Sequence, residues 1–527
     1  MSMLNALRVP EPITGSAITV ETNPRAVKAW LVSLSSAQTA ETARAIFDSL
    51  TTLNRIKLDG ESRLKLLEHY QTTINMLDVP LEAIYACATA PAKEKAKHAA
   101  VLARNLQLEL ANGYKLVLHE RLSARFGFGK RDIPELIHHL LTTYQRLMWI
   151  CCKSYGPVPA GVWLEAHALF RYAIQHKMID SPEGVDHQNK TIGGCYKQIL
   201  LLALSDPYRY HPLEHDKIKD LIKNYGSATQ FQALNDNPHP AGLFLVRLDQ
   251  DLPPAFFGQR PQDVEASSSI MLDTIEMAKL LNKALHAVEQ KLPTASDRSK
   301  AQAWMDLLRR VSRQWSISPK RIFQRIRANS QVQMTGGLRM TTFHLNDAQP
   351  LFEPLALDDS LPLTDNPLTF QEGVHGQPDT WILLNESPGG FALRLKPLPQ
   401  SGIYRVGDVV GLRSQGADDW MVACIRWMQT TETGDAVEVG IQILAPSGNS
   451  GMVRPTTTHA GGTLQPCLQL PEITAIKRPA LILAPRGTFT PMRELAIYTN
   501  NGEQLVRAAR LVEQAVGFDL FEYSESE

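Results

Sequence analysis

Cysteine is scarce in this chain. There are six in 527 residues, Cys87, Cys151, Cys152, Cys195, Cys424 and Cys467. None makes a C-x-x-C pair, which excludes a disulfide scaffold and leaves reduced thiols as the expectation. Net charge is also lacking, with 54 Lys plus Arg against 54 Asp plus Glu. A protein built to coat nucleic acid is usually basic, so no nucleic-acid polymer is expected as a partner. A local basic pocket for one small anion remains compatible with that balance. No uncharged apolar run approaches the roughly 18 residues of a membrane-spanning helix. Residues 1–12 lack the charged start and apolar core of a signal peptide. The expectation is a cytoplasmic protein with no membrane insertion.

What is present is enough apolar sequence, 44%, for several cores, and a length that suggests about three domains. After a tail at residues 1–22, Asn23-Pro24 reads as a helix start, with proline inside the first turn. From there to about residue 224, apolar residues recur at helical spacing. Val27, Trp30, Leu31 and Leu34 form one stripe, and Leu64, Leu66, Leu67, Tyr70 and Ile74 form another. Pro80, Pro91, Gly113, Gly127, Pro134, Pro157 and Pro182 punctuate the series. An all-α array over residues 23–248 is expected, solenoid-like although without a fixed repeat. Such arrays bind proteins on a concave face.

Three motifs in this part invite chemistry. His211-Pro212-Leu213-Glu214-His215 has the H-x-x-E-H pattern of a zinc metallopeptidase. Pro212 and the preceding Ser-Asp-Pro turn place His211 at a loop or cap, and no third ligand follows at a useful spacing. His167 shares a helix face with Trp163, Leu164 and Phe170, which suits a core histidine. Phe126-Gly-Phe-Gly-Lys130 lacks the spacing and the Ser/Thr of a P-loop and reads as a helix-ending turn.

Residues 249–266 are rich in Pro, Gln and Asp and read as a linker. Two bridging helices are expected over residues 267–316, the first from Ser267 to Lys291 and the second from about Ser296 to Trp315.

Beyond them lie two short stretches, Lys320-Arg321-Ile322-Phe323-Gln324-Arg325-Ile326-Arg327 and Asn385-Glu386-Ser387-Pro388-Gly389-Gly390. If the first is helical, Arg321 and Arg325 lie one turn apart. If it is extended, Arg321, Arg325 and Arg327 share a face, because their offsets are even. Either way at least two guanidiniums aim at one target. The second stretch is a polar turn with strand-like sequence on both sides. Trp381 to Leu384 leads in, and Phe391, Leu393 and Leu395 alternate with Ala392, Arg394 and Lys396 on the way out. Further strands are expected at residues 406–412, 420–427 and 437–443. Residues 331–343 also look like β structure, and residues 346–378 read as an insertion.

An R-x-x-x-R followed by [D/N]-x-S-x-x-G resembles the signature of the PilZ domain, a small antiparallel β-barrel that binds cyclic di-GMP. The resemblance covers residues 319–446, about a quarter of the chain. It implies a ligand site for cyclic di-GMP at Arg321, Arg325, Arg327, Asn385, Ser387 and Gly390, with no metal and no further cofactor. Arginine suits this ligand, since its planar fork pairs with phosphate oxygens and with the O6/N7 edge of guanine.

Residues 446–451 have the composition of a linker. Short β-like runs return from Cys467 onward, as a second small barrel or as completing strands of the first. Residues 518–527 read as an acidic tail. The fold class expected is therefore multidomain α + β, with an N-terminal all-α array and C-terminal antiparallel PilZ-like β-barrels. The resemblance implies a non-enzymatic cyclic di-GMP receptor whose helical domain engages an unidentified protein partner. The competing readings are an interaction scaffold whose barrel binds no nucleotide and, third, the zinc metallopeptidase.

Overall fold

A computed structural model describes residues 3–13, 20–34, 38–86, 89–123, 132–183, 187–234, 241–257, 264–292, 298–316, 325–349, 376–396, 398, 403–456 and 464–525. The chain forms two units, Met1–Cys87 with Ala92–Pro207 and Pro212–Lys320, and Ala88–Pro91 with Tyr208–His211 and Arg321–Glu527.

The first unit is mostly helical. Its helices are α1 (Met3–Ala6), α2 (Pro24–Ser33), α3 (Thr39–Leu53), α4 (Gly60–Tyr85), α5 (Glu94–Ser123), α6 (Ile133–Lys153), α7 (Val162–Gln175), α8 (Ile192–Leu204), α9 (Pro212–Tyr225), α10 (Ile275–Lys291) and α11 (Arg298–Ser316). The start at Asn23 is as expected, since its side chain accepts from the Arg25 and Ala26 amides. Two punctuation marks do not end helices. α4 continues through Pro80 to Tyr85. α5 passes through Gly113 because that glycine allows close packing; a Cβ there would lie 2.4 Å from Leu67 Cδ2 on α4. The first described residues are docked rather than loose. Met3, Ala6 and Leu7 are buried, and the Arg8 amide donates to Glu165 at 3.1 Å. Glu165 also holds Lys115 Nζ at 3.0 Å.

The unit is not purely α. Besides a hairpin of β1 (Pro182–Glu183) and β2 (His187–Thr191), it contains β3 (Gln230–Ala233), β4 (Leu243–Arg247), β5 (Ala255–Phe256) and β6 (Ser269–Asp273), an antiparallel sheet in the order β3-β6-β4-β5. This corrects the expectation of a helix beginning at Ser267. Ser269–Asp273 is a strand paired on both edges, and the helix starts at Ile275. Met271 fits the helical stripe in sequence, yet it is buried in the sheet's own cluster with Leu243, Leu245 and Phe257.

The second unit holds two closed antiparallel six-stranded barrels, so the C-terminal β runs form a second barrel rather than completing the first. The first uses β8 (Gln331–Gly336), β9 (Asp379–Ser387), β10 (Gly390–Leu395), β11 (Val409–Ser414), β12 (Met421–Thr430) and β13 (Val437–Ala445). The order β10-β13-β12-β11-β8-β9 is closed by pairing of β9 with β10. β7 (Ile326–Arg327) adds to the edge of β9. The β reading of residues 331–343 is half right. β8 ends at Gly336, and α12 (Gly337–Leu345) follows, entered through Gly337 at φ +81°.

The second barrel is β14 (Asn449–Pro455), β15 (Gln465–Leu470), β16 (Leu481–Pro485), β17 (Glu494–Thr499), β18 (Gly502–Gln514) and β19 (Phe518–Glu525), closed in the order β14-β15-β16-β19-β18-β17. Two expectations fail here. Half of the stretch read as a linker, residues 449–451, opens β14, which pairs with β15 and β17. The stretch read as an acidic tail is β19, with Phe518 and Phe521 wholly buried. Strand alternation hid its apolar half among the acidic residues.

The barrels share a core. Val409, Val422, Cys424 and Leu444 of the first pack against Leu468, Leu470, Leu481, Leu483 and Phe518 of the second. Ile482 and Ala484 face the second barrel's own interior. β16 is thus buried on both faces, which accounts for its unbroken apolar run. At this joint Asp408 lies beneath the β18–β19 hairpin; a Cβ on Gly517 would sit 3.2 Å from its Oδ1. Burial pushes the Asp408 carboxyl up to about 7, with Arg405 only partly opposing it. The folded state then keeps a proton that the unfolded chain releases near the ordinary carboxylate range. Stability should fall as pH rises from about 4 to 7, by roughly 2 kcal/mol after allowance for solvent. Urea midpoints measured at both ends of that window should show the fall in the wild type and lose this part of it in Asp408→Asn.

Candidate ligand-binding face of the first barrel

β7 decides between the two conformations left open by the sequence, because the arginine segment is extended where it is described. Ile326 pairs with Glu386 and Arg327 with Asn385. The Ala328 amide donates to Leu384 O at 3.2 Å, and the Leu383 amide to Ser330 O at 2.8 Å, lacing this segment along β9. Directly opposed residues of an antiparallel pair share a face. Arg327 and Asn385 therefore point the same way, and one more step of register sets Arg325 level with Ser387. The structure thus brings together Arg325, Arg327, Asn385 and Ser387. Arg321 lies outside the described residues.

The row through Arg327 and Asn385 continues around the barrel. Asn385 is opposite Ala392, Ala392 opposite Gly440, and Gly440 opposite Trp427. The neighbouring row of Leu393, Val439 and Met428 is fully buried inside the barrel. The Arg327–Trp427 row consequently faces outward. A Cβ on Gly440 would lie 1.7 Å from Trp427 Nε1, so the half-buried indole rests directly on that glycine. The face combines a small floor at Ala392 and Gly440, an amide and a hydroxyl at one side, two guanidiniums beyond them and an aromatic ring at the other side. Such a surface offers stacking and hydrogen bonds to a purine and charge to a phosphate.

The turn that carries Ser387 is tight. Pro388 and Gly389 form its two-residue loop, and Ser387 pairs with Gly390. Ser387 Oγ donates to Gly390 O at 3.1 Å. Gly390 has φ +156°, and a Cβ there would stand 1.9 Å from Ile441 O, so only glycine lets the β9–β10 hairpin close against β13.

The electrostatics of the face single out two residues. Arg394 is held by Glu438 at 2.6 Å, Arg426 by Glu513 at 2.8 Å, and Lys396 by Asp435. Arg325 and Arg327 are exposed, and among the described residues neither has an ion-pair partner. Two like charges on one face without a counter-ion form a natural anion site.

Trp427 and Gly440 join this face although the sequence marks them only as strand residues. The one signal was the glycine interrupting the Val-Glu-Val-Gly-Ile-Gln-Ile alternation.

The other motifs do not assemble. His215 Nε2 meets Pro207 O at 2.8 Å, and its ring packs against Trp149 and Tyr155. Burial pushes its pKa down to about 4. Glu214 is engaged by Arg310. Among the described residues no group of His, Cys, Asp and Glu converges on a metal position. His167 is a core residue, bonded to Tyr196 OH at 2.6 Å and Leu252 O at 2.8 Å. The Phe126–Lys130 motif lies outside the described residues. The five described cysteines are buried free thiols. Among the described residues no helix is long and apolar enough to cross a membrane.

Comparison with known proteins gives a consistent result. Three family models match in chain order. They are the N-terminal domain of the cyclic-di-GMP receptor FimW over residues 25–238, its middle PilZ domain over 243–380 and 371–449, and the FimW C-terminal beta-barrel domain over 452–526. The cyclic-di-GMP receptor FimW of Pseudomonas aeruginosa is 26% identical, over 99% of this chain and 94% of that protein. No solved structure matches.

Proposed function

Since the chain belongs to the FimW family of PilZ-domain cyclic-di-GMP receptors, we propose that it is a non-enzymatic receptor that takes cyclic di-GMP on the outer face of its first barrel. What carries this reading is the pair of exposed guanidiniums, Arg325 and Arg327, standing without counter-ions among the described residues on the face of Asn385 and Ser387. In the proposed complex they grip a phosphate or a guanine edge, and Asn385 and Ser387 supply short polar contacts. Trp427 stacks a base. Gly390 shapes the turn rather than touching the ligand. Arg321 completes the set on the strength of the R-x-x-x-R pattern alone.

The protein is proposed to act in the cytoplasm through a partner protein held by the helical unit. The arginine segment follows α11 directly in the chain, so a ligand gripping it acts on the stretch that joins the two units.

Equilibrium binding of cyclic di-GMP to the full chain tests the proposal, and Trp427→Ala tests the site. Losing one stacking contact, at roughly 1–3 kcal/mol per base, should weaken affinity about tenfold. An unchanged dissociation constant in folded Trp427→Ala would remove the indole from the site.

A further inference from the structure

Taking the Arg327–Asn385–Trp427 row as the cyclic di-GMP site, we propose that Arg426 and Glu513 form a latch between the two barrels that positions Trp427, making the second barrel a determinant of the first barrel's affinity.

The latch is built from two irregularities that meet. On β12, Ile425 faces Ile441 and Trp427 faces Gly440, which leaves Arg426 as an extra residue without a partner in the ladder. On β18, Leu511 faces Phe521 and Glu513 faces Leu520, which leaves Val512 extra. A bulge re-aims the side chains beside it and sharpens the local twist. Here the two bulges turn their charged residues toward one another. Arg426 Nη1 and Nη2 donate to the two carboxylate oxygens of Glu513 at 2.5 and 2.8 Å. Arg426 Nε donates to Gln442 Oε1 on β13 at 2.7 Å.

This arginine therefore touches both sides of the proposed site. Its chain neighbour is Trp427, and Gln442 stands opposite Gly390 at the end of the Ser387 turn. On that row Trp427 packs on a glycine, so no side chain directly opposite it fixes its direction. Its facing depends on where the extra residue of β12 sits. Side chains alternate along a strand, so moving the bulge by one residue would send the indole to the other face. The two-pronged grip of Glu513 pins Arg426 as the extra residue. Without that grip, a partly buried guanidinium loses its carboxylate and turns toward water, and β12 is free to relax. Since linkage is reciprocal, ligand on the first barrel would in turn tighten the latch.

The test uses the full chain and Glu513→Gln, read by Trp427 emission and by cyclic di-GMP affinity. Without ligand, Glu513→Gln should shift tryptophan emission to the red, and the shift should vanish in a Trp427→Phe background. With ligand, its dissociation constant should rise about 5- to 20-fold, within the usual range for coupled neighbours. Arg426→Lys keeps the charge but not the planar fork. It should show the same emission shift, and it repeats the test if Glu513→Gln folds poorly. Wild-type emission and affinity in both folded variants would overturn the latch. If the wild type binds no cyclic di-GMP but Glu513→Gln still moves the Trp427 signal, the proposed ligand falls and the positioning role stands.

Discussion

Replacing Arg325 and Arg327 together with alanine should weaken cyclic di-GMP binding by about a hundredfold or more and leave stability almost unchanged. A good two-pronged arginine contact to a guanine edge is worth about 1–3 kcal/mol. Two of them removed together amount to roughly 2–6 kcal/mol, and each 1.4 kcal/mol is about a factor of ten in affinity, so the middle of that range is several hundredfold. The fold has little to lose. Both side chains are exposed and, among the described residues, neither is ion-paired. The backbone pairing of β7 to β9 does not involve the side chains. Surface changes of this kind usually stay within about 0.5 kcal/mol. Lysine at both positions should recover only part of the affinity, because an ammonium lacks the planar fork. Affinity within twofold of wild type in the double alanine variant would place the ligand elsewhere.

Gly390→Val should destabilise the second unit by about 3–5 kcal/mol and abolish binding with it. Its φ is +156°, and the added Cβ would stand 1.9 Å from Ile441 O. That oxygen belongs to β13, which is paired along its length with β10 and β12 and has no room to retreat. Either the β9–β10 hairpin opens or the barrel seam shifts, and Ser387 moves in both cases. Gly434 supplies the control. It has φ +68° in a turn, and a Cβ added there would meet nothing within 4 Å. Gly434→Ala should cost only about 1 kcal/mol. Urea unfolding followed by tryptophan emission separates the two variants. Equal midpoints for them would mean that the close approach at Gly390 is not what holds the turn.

The barrels were legible where one strand face is dry and the other wet. Val437, Val439 and Ile441 announced β13 by simple alternation, and Phe391, Leu393 and Leu395 announced β10. β16 could be seen as a strand but not placed, since burial on both faces erases alternation. Ser269–Asp273 was lost to a helix because Met271 and Ile275 also fit helical spacing. Only its pairing with β3 and β4, set by distant parts of the chain, makes it a strand. The candidate site divides in the same way. The arginines and the Asn-x-Ser turn are local motifs and could be found by inspection. Their meeting depends on β7, two residues long and visible only through its register with β9. The Trp427–Gly440 contact joins two strands across a bulge, and no local pattern forecasts it.

The central claim is best tested by isothermal titration calorimetry of the full chain with cyclic di-GMP, with GTP and cyclic di-AMP as controls. The account requires selective binding at micromolar affinity or tighter, about 8 kcal/mol, with heat lost in the Arg325→Ala, Arg327→Ala variant. No heat from cyclic di-GMP in protein shown to be folded, or equal binding of all three nucleotides, would contradict it.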